Sequence, residues 1–454
     1  MKRSVLFIIV FVSVLSSYAQ IQSSEPCGQR ELIQQLEQQY PGFKANYDKQ
    51  YIKSVRGEFN VQPRRKKITD TIYYYDTIYT IPVVFHVLYN VSSENIHDSL
   101  LKNQIAALNR DFRRMNADSV NTRTAFKSRA GDARIQFELA TVDPNGATTT
   151  GIVRKTTTKT SWGTAGGINN NMKFSSMSGD DAWDPKRYLN IWVCDLTYQN
   201  QDGLLGFAYP PYGHPSWTSS SWVSDPNQGV VLHYKIVGQN NPQSNTSLLN
   251  TSRMGRVAVH EVGHYFGLRH IWADDQYNFD KCADDDFIDD TPLQGIGSNF
   301  DCVKSKNSCF EAKNDLPDMI ENYMDYSAHS CQNLFTKRQV QVMRTAITAY
   351  RKTLPSKIEI IERSRIFDTI IYNDILIYHQ TQTKNLVIEL KNDDVKENVT
   401  AEMYNLIGQQ MIAPTVLTQN YTTFSSQRFS VGTYVVILRK ANGDVVRKVK
   451  IAID

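Results

Sequence analysis

Three histidines, His260, His264 and His270, stand at steps of four and six, with Glu261 beside the first and Gly267 between the last two. On a helix, residues four apart share a face, so the first two imidazoles can reach one metal ion. A residue six further on lies off that face, so the helix must end before His270. Gly267 supplies the stop, because glycine accepts the left-handed backbone that turns a chain sharply. His270 then returns as a third ligand and leaves a fourth position open. Three neutral imidazoles and an open position suit a catalytic zinc ion, since structural zinc sites fill all four positions with protein ligands. Glu261 can point at a water there without ligating the metal and take its proton as it attacks a carbonyl. Ser252 is placed to cap the helix. Downstream, in the segment 321–326, Met324 would form a tight turn beneath the metal and Tyr326 would donate to an oxyanion.

The 454-residue chain is long enough for two domains plus processing segments. A net charge of +4 and the absence of a long Lys/Arg block argue against nucleic-acid binding. Lys2 and Arg3, the apolar run Val5 to Leu15 and the small-residue site ending at Ala19 have the layout of a secretory signal. The run is too short for a bilayer span of about 20 residues, and none follows, so no integral membrane segment is expected in the mature form. Export exposes the six cysteines to oxidising conditions. Those at 282, 302, 309 and 331 read as two disulfides, with three pairings open, and Cys194 as a buried free thiol. Residues 20–67 hold too few apolar residues for a core of their own and read as a propeptide or a partly disordered arm. The basic run Arg64-Arg65-Lys66-Lys67 reads as a loop or cleavage site.

Order is expected from near Thr77. Ile81 to Leu88 is a nearly continuous apolar run, the mark of a strand covered on both faces, with His86 as a core residue. Leu101, Ile105, Leu108, Phe112 and Met115 recur at helical steps, and Ile135, Phe137 and Leu139 alternate as a strand. With another strand at 188–196 these make an α/β layer ahead of the histidine helix. Residues 197–250 read as loops and short strands bordering a cleft, and 352–370 as a charged connector. From about 370 the alternation in 386–390, 399–404 and 432–438, closed by 445–453, describes a small all-β sandwich.

In this order, Ile81 to Val87, Tyr188 to Cys194, His260 to Trp272, Asp289 to Pro292, Asn322 to Tyr326 and Cys331 to Thr336 resemble the pappalysin (cytophagalysin) family of metzincin peptidases. The resemblance covers roughly 78–350. It implies an α/β (α+β) metzincin catalytic domain with a mixed sheet and a central zinc helix, acting on protein or peptide substrates. It also implies interlaced disulfides, Cys282 to Cys309 and Cys302 to Cys331, and calcium near 284–291, with Asp286 and Thr291 as ligands. A Cys-Gly pair in the propeptide often blocks the zinc in this family, and Cys27-Gly28 fits that place. Two positions depart from the family. Ala273 stands where glycine is frequent, and Ser330 replaces the acidic residue of relatives that cleave before Lys or Arg.

The C-terminal sandwich resembles sorting domains of the type IX secretion system, through Tyr404 to Gly408, Gly432 to Val436 and the last strand. That implies bacterial secretion machinery as a partner and a secreted or surface-attached product. The usual Pro-Asn-Pro is replaced by His379-Gln380-Thr381, and a ligand-binding sandwich is the alternative. The expected organisation is a signal peptide at 1–19, a propeptide at 20–67, a catalytic domain at 68–351, a linker at 352–369 and the sandwich at 370–454. A secreted zinc endopeptidase made as a zymogen is the leading reading. A surface binding protein and a hydrolase of non-peptide amides compete with it.

Overall fold

The structure is a computed structural model that describes residues 26–56, 66–68, 71–163, 168–197, 203–214, 216, 221–222, 224–244, 251–273, 281–311, 315–365, 375–381, 383–390, 399–419, 421–439, 443 and 445–453. The signal segment and the Arg64-Arg65 pair lie outside them. Among the described residues no helix is long and apolar enough to cross a membrane.

The described residues open with two helices, α1 (Gln29–Gln39) and α2 (Phe43–Arg56), followed by the short strand β1 (Lys66–Ile68) and the long strand β2 (Thr71–Tyr89). The expectation of a disordered arm is corrected here. Leu32, Leu36, Phe43, Tyr47 and Tyr51 are buried in the same core as the main sheet. The segment has too few apolar residues to fold alone, but α1 and α2 use theirs against the body of the protein. The expected start of order near Thr77 is likewise too late, since β2 already pairs at Thr71.

β2 organises an eight-stranded mixed sheet. After helix α3 (Asp98–Phe112) and a single helical turn, α4 (Thr124–Lys127), come the short strand β3 (Ala130–Gly131), then β4 (Ile135–Leu139) and β5 (Ile152–Thr156). β4 and β5 both run parallel to β2. β6 (Leu189–Cys194) also pairs parallel with β2, and β8 (Val230–His233) parallel with β6. The antiparallel strand β7 (Gly206–Ala208) lies beyond β8 at the edge. β6 and β8 are buried along their whole length, as parallel strands covered on both faces must be. His86 is a core residue, its ring nitrogens bonded to Asp180 (2.6 Å) and Asn190 (3.0 Å). α3 ends at Phe112, leaving Met115 exposed instead of on its apolar face.

The histidine helix, α5 (Arg256–Tyr265), is buried at all ten positions and packs against α3, β7 and β8. Its cap is Gly255 at φ 72°, not Ser252. Gln104 of α3 fixes that turn by donating to the Gly255 carbonyl and accepting from the Gly238 N–H. A long-range contact has replaced the local serine cap. After the short strand β9 (Phe335–Thr336), helix α6 (Lys337–Ala349) starts with a capping box between Thr336 and Gln339.

The expected connector is in part a strand. β10 (Lys357–Arg365) pairs antiparallel with β2 from Thr80 back to Ile72. The remaining strands are β11 (Ile375–Gln380), β12 (Asn385–Leu390), β13 (Thr400–Asn405), β14 (Gln410–Val416), β15 (Tyr421–Ser425), β16 (Gly432–Arg439) and β17 (Val445–Ile453). They form two antiparallel sheets, β11-β12-β15 and β14-β13-β16-β17. Alternate residues such as Ile377, Leu386, Ile388, Met403, Val436 and Leu438 enclose a second core between them.

Candidate metal centre

Sheet and helix bring the three histidines to one point. The Nε2 atoms of His260, His264 and His270 lie 3.0, 3.1 and 3.2 Å apart pairwise. Tetrahedral ligands about 2.05 Å from zinc stand roughly 3.3 Å apart, so the spacing fits one ion. Proton placement makes the same point. The Nδ1–H of His260 donates to the Tyr323 carbonyl at 2.7 Å, and that of His264 to the Leu268 carbonyl at 2.8 Å. The Nε2 lone pairs of both rings are thereby turned inward, where they repel one another unless a cation lies between them. Burial, then the neighbouring His270 and His260, hold His264 well below the usual histidine range, so it stays neutral.

Gly267 ends the helix as the sequence requires. Its N–H bonds the His264 carbonyl and the Leu268 N–H bonds the Gly263 carbonyl, a Schellman turn with Gly267 at φ 90°. A Cβ there would lie 2.5 Å from the Tyr212 hydroxyl, so shape and backbone both select glycine. His270 emerges from the turn stacked on Trp272 at 4.4 Å. Met324 is fully buried, with its sulfur 2.6 Å from where a Cβ on Gly263 would stand. The Tyr326 ring lies 4.9 Å from that of His270 and 5.7 Å from that of His260. Ala273 has φ 65°, the left-handed region where glycine is at ease, which accounts for the family's glycine and leaves the alanine without a structural explanation.

Glu261 is fully buried, and burial pushes its carboxyl up to about 8, opposed by the hydrogen bond from Cys27. The Cys27 thiol stands 3.6 Å from Glu261 Oε2, and no donor reaches Oε1 among the described residues. Cys27 Sγ and the three imidazoles all lie within 4.8 Å of one another. The thiol is held there by backbone pairing, with the Leu205 N–H on the Pro26 carbonyl (2.8 Å) and the Gly28 N–H on the Gly206 carbonyl (2.9 Å). Helix α2 continues the cover. Asp48 pairs with Arg269, whose guanidinium lies over the rings of Tyr47 and Tyr51 at 4.7 and 4.1 Å.

The acidic loop brings no third acidic ligand to Asp286. Among the described residues, the cysteine–histidine cluster is the one group of three or more such side chains close enough to share an ion. Thr291 donates to Asp286 Oδ1 at 2.8 Å, and Asp286 Oδ2 is buried without a donor among the described residues. Cys282 is bonded to Cys309 and Cys302 to Cys331, while Cys27 and Cys194 are buried thiols outside the disulfides. Ser330 lies at the surface beside Cys302, outside the walls of the cavity next to Glu261. Sequence reasoning missed the carbonyls of Tyr323 and Leu268, since backbone acceptors leave no residue-type signal. It also missed Arg269 as the seat of α2.

The family described as pregnancy-associated plasma protein-A, peptidase M43, matches residues 173–348. Mature mirolysin of Tannerella forsythia, solved with a cleaved peptide, is 41% identical with a TM-score of 0.52, over 62% of this chain and 96% of that one. A promirolysin mutant from the same organism is 36% identical with a TM-score of 0.56, over 73% of this chain and 97% of that one. An extracellular metalloprotease of Arthroderma gypseum is 30% identical over 265 residues, 58% of this chain and 71% of the relative. Sheet, helix and relatives together make this a metalloprotease. Within that class the chain belongs to the pappalysin family of metzincins, which implies a catalytic zinc ion.

Proposed function

We propose that the chain is a secreted zinc endopeptidase made as a latent precursor, with His260, His264 and His270 holding the metal. The convergence of three inward Nε2 atoms beside a buried carboxylate carries this reading. When bound there, zinc supplies Lewis-acid chemistry, acidifying a water and polarising a peptide carbonyl. Glu261 takes the proton of the attacking water and returns it to the leaving amine. Its burial favours this exchange, because a desolvated carboxylate binds a proton more readily than one in water. Tyr326, beside His260 and His270, donates its hydroxyl as charge develops on the carbonyl oxygen. Trp272 holds the His270 imidazole from the side, and Met324 packs against the histidine helix at Gly263.

Cys27 is the latency residue in this reading, set by backbone pairing where substrate must enter. The pro-form of mirolysin matches a larger share of this chain than the mature form does, which supports a precursor here. In unprocessed chain, Cys27→Ala is expected to raise gelatin cleavage at least about tenfold, a change of ~1.4 kcal/mol, and a zinc chelator to abolish it. Equal activity in wild type and variant would remove Cys27 from latency. Absence of chelator-sensitive cleavage from both chains, before and after processing, would remove the peptidase.

The relatives' description as extracellular supports export. We assign residues 370–454 to sorting, supported by their separate two-sheet core. Deleting them is expected to leave the protein inside the producing cell, and continued export of the shortened chain would refute the assignment. Calcium at Asp286 and Thr291 is proposed on the buried Asp286 oxygen that no donor reaches among the described residues.

A further inference from the structure

A cavity beside Glu261 and Tyr326 is bordered by Pro26 and Cys27 of the N-terminal segment. Arg256, Val257, Phe300, Ser327, His329 and Gln332 contribute to its wall. Most of the polar groups there are already engaged. Arg256 is fully buried and paired with Asp111 (3.2 Å) and Asp118 (2.7 Å), while Arg110 holds Asp111 from the other side. Two guanidinium groups face two carboxylates, so this wall carries no net charge. Asp325 also borders the cavity, but Gln294 and the Ser298 N–H bind one oxygen, and the other is closed off from solvent. The Ser327 hydroxyl donates to the Ile320 carbonyl.

His329 differs from these. Its Nδ1 accepts the Met254 N–H at 3.2 Å, so the ring proton sits on Nε2. Burial and the neighbouring Arg256 hold the ring well below the usual histidine range, which keeps it neutral. Among the described residues no acceptor meets that Nε2–H. Beside the Tyr326 hydroxyl, which serves the carbonyl oxygen, the cavity therefore presents a neutral donor at His329, an acceptor at Gln332 Oε1 that meets no donor among the described residues, and no accessible acid apart from Glu261.

We propose that His329 selects the substrate side chain lodged in this cavity, donating its Nε2–H to a neutral side chain that ends in an oxygen acceptor, as in glutamine or asparagine. The inference rests on the peptidase reading and deepens it. Lysine and arginine would lose hydration and find no counter-charge apart from Glu261, which the reaction itself occupies. Glutamate is disfavoured for the same reason, because Asp111 and Asp118 already neutralise the guanidinium groups. Methionine matches glutamine in length but leaves the donor unpaired.

The test is a peptide library cleaved by the full chain, zinc-loaded and activated by limited trypsin treatment, with the trypsin then inhibited. A Glu261→Ala twin supplies the background. Beside the scissile bond, glutamine is expected to exceed methionine, lysine and arginine by about tenfold. His329→Asn keeps an acceptor for the Met254 N–H but removes the donor facing the cavity, and should bring the glutamine-to-methionine ratio close to one. His329→Gln, whose amide reaches the Nε2 position, should restore part of it. A wild-type preference for lysine or arginine would overturn the proposal even if neither variant folds. So would an unchanged ratio in His329→Asn. Absence of any Glu261-dependent cleavage would overturn the peptidase reading and this inference with it.

Discussion

Glu261→Ala is expected to lower gelatin cleavage by the activated enzyme at least about a thousandfold, toward the upper end of what a positioned general base contributes. The substitution leaves the three imidazoles in place. Their orientation comes from the Tyr323 and Leu268 carbonyls and the stack on Trp272, none of which involves Glu261. Alanine is also the best helix former, so the buried helix should persist. Zinc content should therefore stay at one per chain while turnover disappears. Retention of more than about a tenth of the activity would show that another group takes the proton.

His264→Ala should separate metal binding from fold more severely. His264 supplies one of the converging nitrogens, and its Nδ1 also ties the end of the helix to the Leu268 carbonyl. Removing it should take bound zinc from one per chain to none at micromolar metal, a loss of at least about a thousandfold in affinity. Thermal unfolding should then become indifferent to a zinc-selective chelator that lowers the wild-type melting temperature, because only a bound ion adds to native stability. Zinc retained at full stoichiometry would place the metal elsewhere. The same metal analysis bears on the acidic loop: at least one calcium per wild-type chain is expected, and its absence would refute the site at Asp286.

Much of the centre was legible because its signal is local. The spacing of His260, His264 and His270 and the glycine between them fix a helix, a stop and a return whatever surrounds them. Strands differ in this respect, as Leu189–Cys194, which was expected, and Val230–His233, which was not singled out, show. The first is plainly apolar, whereas the second is short and sits in a stretch rich in Gly, Pro and Ser. Lys357–Arg365 escaped notice because its charges hide the two-residue period, and its partner, β2, lies nearly 300 residues earlier. Helices α1 and α2 look too polar to be ordered until the surface that receives them is known. Leu32, Phe43 and Tyr51 bury themselves against a body made from later sequence. The cap at Gly255 has the same origin, since Gln104, about 150 residues upstream, sets it.

The two disulfides have a consequence for durability. Their loops overlap, one spanning 282–309 and the other 302–331, so every peptide bond between Cys282 and Cys331 is bridged by at least one S–S bond. A single nick anywhere in that stretch leaves both fragments tethered, with Met324 and Tyr326 still anchored to the severed strand of chain. A protease is thereby insured against cleavage in this irregular stretch, where a break would otherwise set the pieces adrift.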